Sequence, residues 1–287
     1  MINTLRLVYF SPTGTTRQIV QAITKGLSVD NIFETDLTVP ENREGIIPIF
    51  KEDLILIGMP VYEEHLPPIV IGLLQKLKGC NQPAVLVSVY GNIGFGMSLV
   101  ELKELAIQIK TMPIAAAAFI GEHSFSSNTI KLAHGRPDYL DIEKAIEFGR
   151  SIASMLQSKK NIETNMLFND CNPGISSRIS ELYEQNIEVP GSIPFIAKIL
   201  REGSAKVFTK TPVINFDCNK CMACFKLCPS GAIADDLSIN EEKCIRCFAC
   251  VKNCKKNGRQ IIYKKKIIVK NFLKKNNRVR KEPQLFY

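Results

Sequence analysis

The feature that most restricts the fold of this chain is a cysteine pattern that occurs twice in its last third. Each run follows the spacing C-x2-C-x2-C-x3-C, and the second run lies 26 residues after the first: Cys218, Cys221, Cys224 and Cys228, then Cys244, Cys247, Cys250 and Cys254. This duplicated spacing is typical of bacterial proteins that hold two [4Fe–4S] clusters. The segment is therefore expected to fold around two clusters, in a small α+β domain.

The same spacing predicts which cysteines share a cluster. Three thiolates spaced by two residues bind three corners of one cubane, and the fourth ligand comes from the other run. We call the set with Cys254 the first cluster (Cys218, Cys221, Cys224 and Cys254) and the set with Cys228 the second cluster (Cys228, Cys244, Cys247 and Cys250). Structural zinc is the alternative, but zinc sites usually use two ligand pairs and often His, which this region lacks.

The first 160 residues alternate strand and helix signals. Nearly continuous apolar runs at 5–10, 53–62, 83–91 and 113–121, with a weaker one near Glu34, predict five strands separated by amphipathic segments. This order predicts a doubly wound five-stranded parallel sheet. We divide the chain into this α/β domain (1–161), a connector rich in Pro and Gly (162–215), the cysteine domain (216–257) and a C-terminal tail (258–287).

Positive charge is concentrated at the C-terminus. The chain carries +9 in total, and its last 37 residues contain 13 Lys or Arg and one acid, Glu282. The tail is expected either to be solvated and partly disordered or to dock an acidic redox partner protein. Nucleic acid is not expected, because no recognition motif accompanies the charge.

The sequence has no signal-peptide pattern and no apolar stretch of about 18 residues, so no membrane insertion is expected. The predicted location is cytoplasmic. Cysteines in that reducing compartment are metal ligands more often than disulfides.

Three loops point to a flat, phosphorylated ligand. "SPTGTT" at 11–16 follows the first strand, where free backbone N–H groups and a helix N-terminus bind phosphate. The loops at 58–68 and 89–96 follow the third and fourth strands, and their aromatic residues could stack on a ring. A well-capped helix remains the alternative for the first loop, since Ser and Thr are good capping residues.

These motifs together resemble the flavodoxin–ferredoxin fusion proteins known as EFR-type ferredoxins, over nearly the whole chain. "SPTGTT" is similar to the phosphate loop of flavodoxins, and "AAFIGEHSFS" and "HGRPD" also resemble this group. The resemblance implies one FMN and two [4Fe–4S] clusters. It assigns the phosphate to Ser11, Thr13, Gly14, Thr15 and Thr16, and the ring to Pro60, Val61, Tyr62, Tyr90, Gly91, Asn92 and Phe95.

We therefore predict an electron-transfer protein that passes electrons between FMN, two clusters and an external redox protein. The alternatives are a flavin-dependent reductase of a small substrate and a redox-sensing module with a vestigial flavin site. The sequence contains no convincing set of a general acid, a base and a nucleophile, which disfavours the reductase. It predicts neither the donor, the acceptor nor the oligomeric state.

Overall fold

A six-stranded, mostly parallel sheet forms the centre of the α/β domain. The computed structural model of the chain describes residues 3–44, 47–48, 54–127, 130–162 and 204–287. Five strands run parallel in the order β2-β1-β4-β6-β7: β1 (Thr4–Tyr9), β2 (Asn31–Asp36), β4 (Leu54–Pro60), β6 (Gln82–Tyr90) and β7 (Thr111–Ile120). The two-residue strands β3 (Ile47–Pro48) and β5 (Leu77–Lys78) pair separately. The predicted α/β class with a parallel sheet is confirmed.

Helices cover both faces of the sheet, which explains why its inner strands are apolar without alternation. One face packs against α1 (Thr15–Leu27) and α4 (Tyr139–Ile162), and the other against α2 (Pro68–Leu74) and α3 (Ser98–Gln108). Gly26 and Gly149 let α1 and α4 approach closely, because a Cβ on Gly149 would lie 2.2 Å from the Ile23 carbonyl oxygen.

The predicted count of five strands is wrong, because the C-terminal tail supplies a sixth. Strand β10 (Gln284–Phe286) pairs antiparallel with β7, with Gln284 opposite Ala118. Before it, α8 (Lys266–Asn276) buries Val269 and Leu273 in a small cluster with Leu132. Most of the basic tail is therefore folded onto the α/β domain.

The cysteine runs lie in a unit of short elements. These are α5 (Ser204–Phe208), β8 (Val213–Ile214), α6 (Ala223–Lys226), α7 (Ala249–Lys252) and β9 (Arg259–Gln260). Because β8 pairs antiparallel with β9, residues 204–215 fold together with the cysteine region. The rest of the predicted connector, residues 163–203, lies outside the described residues. Within the described ranges, no helix is long and apolar enough to cross a bilayer.

Candidate functional site

A cleft lies where the loops after β1, β4, β6 and β7 meet. This is the carboxyl edge of the sheet, next to the β1–β4 pair where the strand order reverses, which is where doubly wound sheets bind ligands. The cleft holds about 450 Å³ of free space, including the part that is open to solvent. Nine of the predicted FMN residues line it: Ser11, Thr13, Thr15, Thr16, Pro60, Val61, Tyr62, Tyr90 and Gly91.

The other three predicted FMN residues do not line the cleft. Gly14 adopts a left-handed conformation (φ +87°) and precedes the first residue of α1. Phe95 packs on Tyr90, with 5.6 Å between ring centroids. The Asn92 side chain points to the C-terminal tail, where its Nδ2 donates to the Val279 carbonyl at 3.1 Å. Sequence reasoning missed this last contact because it joins residues 187 positions apart.

The first loop is both a helix cap and a candidate phosphate site. The Ser11 hydroxyl accepts a hydrogen bond from the Arg17 N–H at 3.0 Å, so the capping role considered from the sequence is present. The remaining N–H groups of a first helical turn have no intrahelical acceptor and favour an anion. Thr16 and Tyr90 line the cleft, and their buried hydroxyls have no hydrogen-bond partner among the residues that the structure describes. Burial raises the pKa of Tyr90 to about 12, so its hydroxyl stays protonated. A ligand with several polar atoms fits such a cleft.

The loop after β7 adds three cleft residues that the sequence analysis did not assign: Glu122, His123 and Ser124. The sequence contained a signal for these residues: the carboxyl ends of parallel strands meet at one edge of the sheet, and this loop follows the fifth predicted strand. Burial, and then the charge of Lys252, lower the pKa of His123 to about 4. Its Nδ1 accepts from the Phe125 N–H at 3.0 Å, so the neutral ring carries its proton on Nε2. Two other basic side chains lie near this edge of the sheet but do not line the cleft. His65 contacts Glu101, and Arg136 forms an ion pair with Asp141.

The two cysteine loops repeat the same unusual backbone. Lys220 and Met222 in the first run, and Arg246 and Phe248 in the second, have φ between +53° and +61°. Left-handed residues at alternate positions turn successive backbone N–H groups toward one point, a concave arrangement found at many iron–sulfur sites. A short helix follows each loop, α6 in the first run and α7 in the second. The backbone and the thiol donor set both fit cubane clusters.

The exchange of ligands between the runs stays a prediction, because the contacts of the thiols do not separate the two sets. Burial and then the charges of Cys250, Cys228 and Cys244 raise the pKa of the Cys247 thiol, and the Cys250 thiol is influenced by both Cys224 and Cys228. Gly258 lies near two cysteines of the first set: its N–H donates to Cys254 Sγ at 3.1 Å, and a Cβ on it would lie 2.8 Å from the Cys218 Cα. In the described part of the chain, no three His, Cys, Asp or Glu side chains form a site for a single metal ion.

The second cysteine run lies against the cleft. Burial raises the pKa of the Tyr62 phenol, and the charges of Cys247 and Cys244 raise it further. The rings of Phe248 and Phe125 meet edge to face at 5.4 Å between centroids.

Helix α7 and the residue after it bind the cleft loops directly. Lys252 Nζ lies 2.6 Å from Glu122 Oε1, and Asn253 Nδ2 donates to the Pro12 carbonyl at 3.1 Å. The cysteine unit is therefore bonded to two of the loops that line the cleft.

Structural comparison finds flavodoxin-like proteins that align with the N-terminal half of the chain. A flavodoxin from the domain Archaea has 14% identity and a TM-score of 0.37, over 54% of this chain and 99% of its own. A flavodoxin from Streptococcus pneumoniae TIGR4 has 14% identity and a TM-score of 0.38, over 53% and 99%. A WrbA-like flavodoxin from Agrobacterium tumefaciens has 12% identity and a TM-score of 0.36, over 54% and 98%. The sequence matches no family profile and no curated protein.

Proposed function

We propose that this protein is an electron carrier that binds FMN in the cleft and two [4Fe–4S] clusters in the cysteine loops. One observation carries the proposal: the second cysteine run packs against the loops that line the cleft, where Phe248 meets Phe125 edge to face and Asn253 donates to the Pro12 carbonyl. A cofactor in the cleft and a cluster in the cysteine loops can exchange electrons only when the two sites are close together. Here the chain supplies that closeness through the contacts of α7 and Phe248.

Each group has residues in this chain that fit it. The first turn of α1, with Thr13 and Thr15, would bind the FMN phosphate, and Tyr62 would cover the ring. The cysteine loops would bind the clusters, in the two sets defined above. FMN accepts one or two electrons and each cluster accepts one, so the bound cofactors would supply conversion between two-electron and one-electron chemistry.

The protein's own side chains would exclude water and hold protons in place. Phe248 is buried and meets Phe125 of a cleft loop edge to face, and it would help to keep solvent from the thiols of the second run. Burial alone would raise the pKa of Glu122, but hydrogen bonds from Lys252 and the Gly135 N–H lower it to about 2. Glu122 is therefore an anion at neutral pH and does not act as a proton donor.

A flavin-dependent reductase is the second candidate function. The observation that favours it is the neutral imidazole of His123 in the cleft, which could donate a hydrogen bond to a substrate carbonyl. With its pKa near 4, this ring is a poor general acid–base at neutral pH. The carrier function therefore has the stronger structural support.

The proposal is tested by anaerobic reconstitution with iron, sulfide and FMN. We expect about eight irons per chain in two cubanes, with one FMN. Cys228→Ala should remove mainly the second-cluster signal in electron paramagnetic resonance, and Cys254→Ala mainly the first. Zinc in place of iron, with no cluster signal after reconstitution, would contradict the proposal.

A separate pair of variants tests the flavin site. Gly14→Glu places a carboxylate at the candidate phosphate site and should abolish FMN binding while the clusters remain. Gly14→Ala carries the same left-handed strain without the charge, and no atom lies within 4 Å of the added Cβ. It should therefore retain FMN more tightly than Gly14→Glu. A wild-type chain that holds both clusters but no FMN would favour the sensing module.

A further inference from the structure

The two cysteine runs repeat in sequence and backbone but differ sharply in exposure. Cys221 is exposed, whereas its counterpart Cys247, 26 residues later, is only 8% exposed. Lys220 is exposed, whereas its counterpart Arg246 is 2% exposed. Because the loops have the same backbone, the difference comes from what covers them. The cleft loops cover the second run and leave the first run at the surface.

Large apolar side chains surround the exposed run. Phe216, two residues before the first cysteine, is fully exposed, and Val213 and Ile214 in β8 are at least 40% exposed. Burying such a side chain is worth roughly 1.5–3 kcal/mol. Contiguous exposed apolar groups of this kind mark interaction sites more often than free surface.

Lysines lie on the same side of the unit. The Asn215 N–H donates to the Gly258 carbonyl at 3.1 Å, and Asn215 Nδ2 donates to the Asn257 carbonyl at 2.9 Å. These bonds hold the Phe216 segment against the turn at 254–257, which carries Lys255 and Lys256, both exposed. With Lys220, three lysines flank the apolar group, and the same two segments contain one acid, Asp217.

Building on the proposed function, we infer that this first-cluster face (Ile214, Phe216, Lys220, Cys221, Lys255 and Lys256) is the docking site for an acidic, one-electron redox protein. An apolar centre with a charged rim is the usual anatomy of a protein interface. The cationic rim selects an anionic partner and steers its approach. Docking there places the partner over the exposed cysteine run, on the side of the unit that the cleft does not occupy.

The test uses the reconstituted full chain and an electrode as the surrogate for an acidic partner. Gold is coated with a mixed layer of carboxylate- and methyl-terminated thiols, and voltammetry measures electron exchange with the adsorbed protein. We expect a cluster signal from the wild type that weakens as salt rises. The triple variant K220E/K255E/K256E and the single variant Phe216→Ser should both lose most of this signal.

A matched variant on the tail controls for net charge. K270E/K274E/K275E changes the charge of exposed lysines on α8 by the same amount and should keep the signal. Loss of signal in this tail variant, with the face variants unchanged, would overturn the inference and place docking on the tail. A wild-type dimer in sedimentation that Phe216→Ser dissociates would also overturn it, because a second copy would then be the occupant.

Iron content and resonance spectra separate this inference from the proposed function. If the wild type assembles no clusters, the proposed function fails and the inference fails with it. If every variant assembles both clusters and the face variants behave as the wild type does, only the docking site is refuted. Phe216 lies outside the ligand loops. If the lysine variants lose iron, Phe216→Ser alone still tests the docking site.

Discussion

At the scale of single residues, Arg259 links the fold of the cysteine unit to the electronic properties of its sulfurs. Its guanidinium is 4% exposed and donates from Nε to Cys224 Sγ at 3.3 Å. Its other nitrogens donate to the carbonyls of Pro212, at 3.2 Å, and Leu237, at 2.7 Å. These two bonds fix the group in place, so it contributes both a charge and an N–H···S bond to a predicted ligand of the first cluster.

We expect Arg259→Gln to lower the reduction potential of the first cluster. Hydrogen bonds and positive charge near the sulfurs favour the reduced state, and the variant removes the charge. Redox titration followed by electron paramagnetic resonance measures both clusters separately. Arg259→Lys keeps the charge and should lower the potential less. Unchanged potentials in Arg259→Gln, with both clusters intact, would show that this contact is only structural.

His123 predicts a dependence of stability on pH. Its pKa in the folded protein is about 4, and the usual value in an unfolded chain is about 6.5. Between these values the unfolded chain binds the additional proton, so the free energy of unfolding should fall as pH falls through this window. Each unit of difference is worth about 1.4 kcal/mol at most. Chemical denaturation across this pH range should show a steeper loss in the wild type than in His123→Gln, and parallel profiles would contradict the assignment.

At the scale of elements, α7 is one of the parts of the cysteine unit that contact the cleft loops. We expect Lys252→Met to weaken this contact by an amount on the order of 1 kcal/mol, because it breaks the partly buried ion pair with Glu122. Hydrogen exchange of the loops at 10–16 and 121–125 should become faster. The repeat supplies the control: Lys226 is the counterpart of Lys252 in the first run and is exposed. Lys226→Met should change nothing, and equal effects of the two variants would refute a specific role for Lys252.

The elements that the sequence predicted are those whose signal is local. The strands that became β4 and β6 are continuous apolar runs, and the cysteine spacing is a local property of two loops. Strand β10 was not predicted, because its three residues are too few to show a periodic pattern and its pairing with β7 depends on tertiary structure. For the same reason Asn92 was assigned to the cleft, although distant backbone groups of the tail engage its amide. Hydroxyls in the loops after the parallel strands were easier to place, because strand order alone determines the edge at which they emerge.

At the scale of the whole molecule, the tail and the cysteine unit are each bonded to the α/β domain. The Arg136 guanidinium donates to the Lys281 carbonyl at 2.9 Å, and β10 extends the sheet, so the end of the chain is tied to the α/β domain. In the cysteine unit, Asn253 and Lys252 bind the cleft loops. Two sites held this way do not need to find each other by diffusion, because their effective concentration is set by the fold.

This arrangement predicts that electrons equilibrate between the flavin site and the second cluster within one molecule. After rapid reduction of one centre in the reconstituted protein, stopped-flow absorbance should show a relaxation whose rate does not change with protein concentration. Lys252→Met should slow it, because the cysteine unit then packs less firmly on the cleft, and Lys226→Met should leave it unchanged. A rate that rises linearly with concentration would mean that transfer occurs between molecules. The contacts of α7 would then serve stability alone, and the packing of Phe248 on Phe125 would have no part in electron transfer.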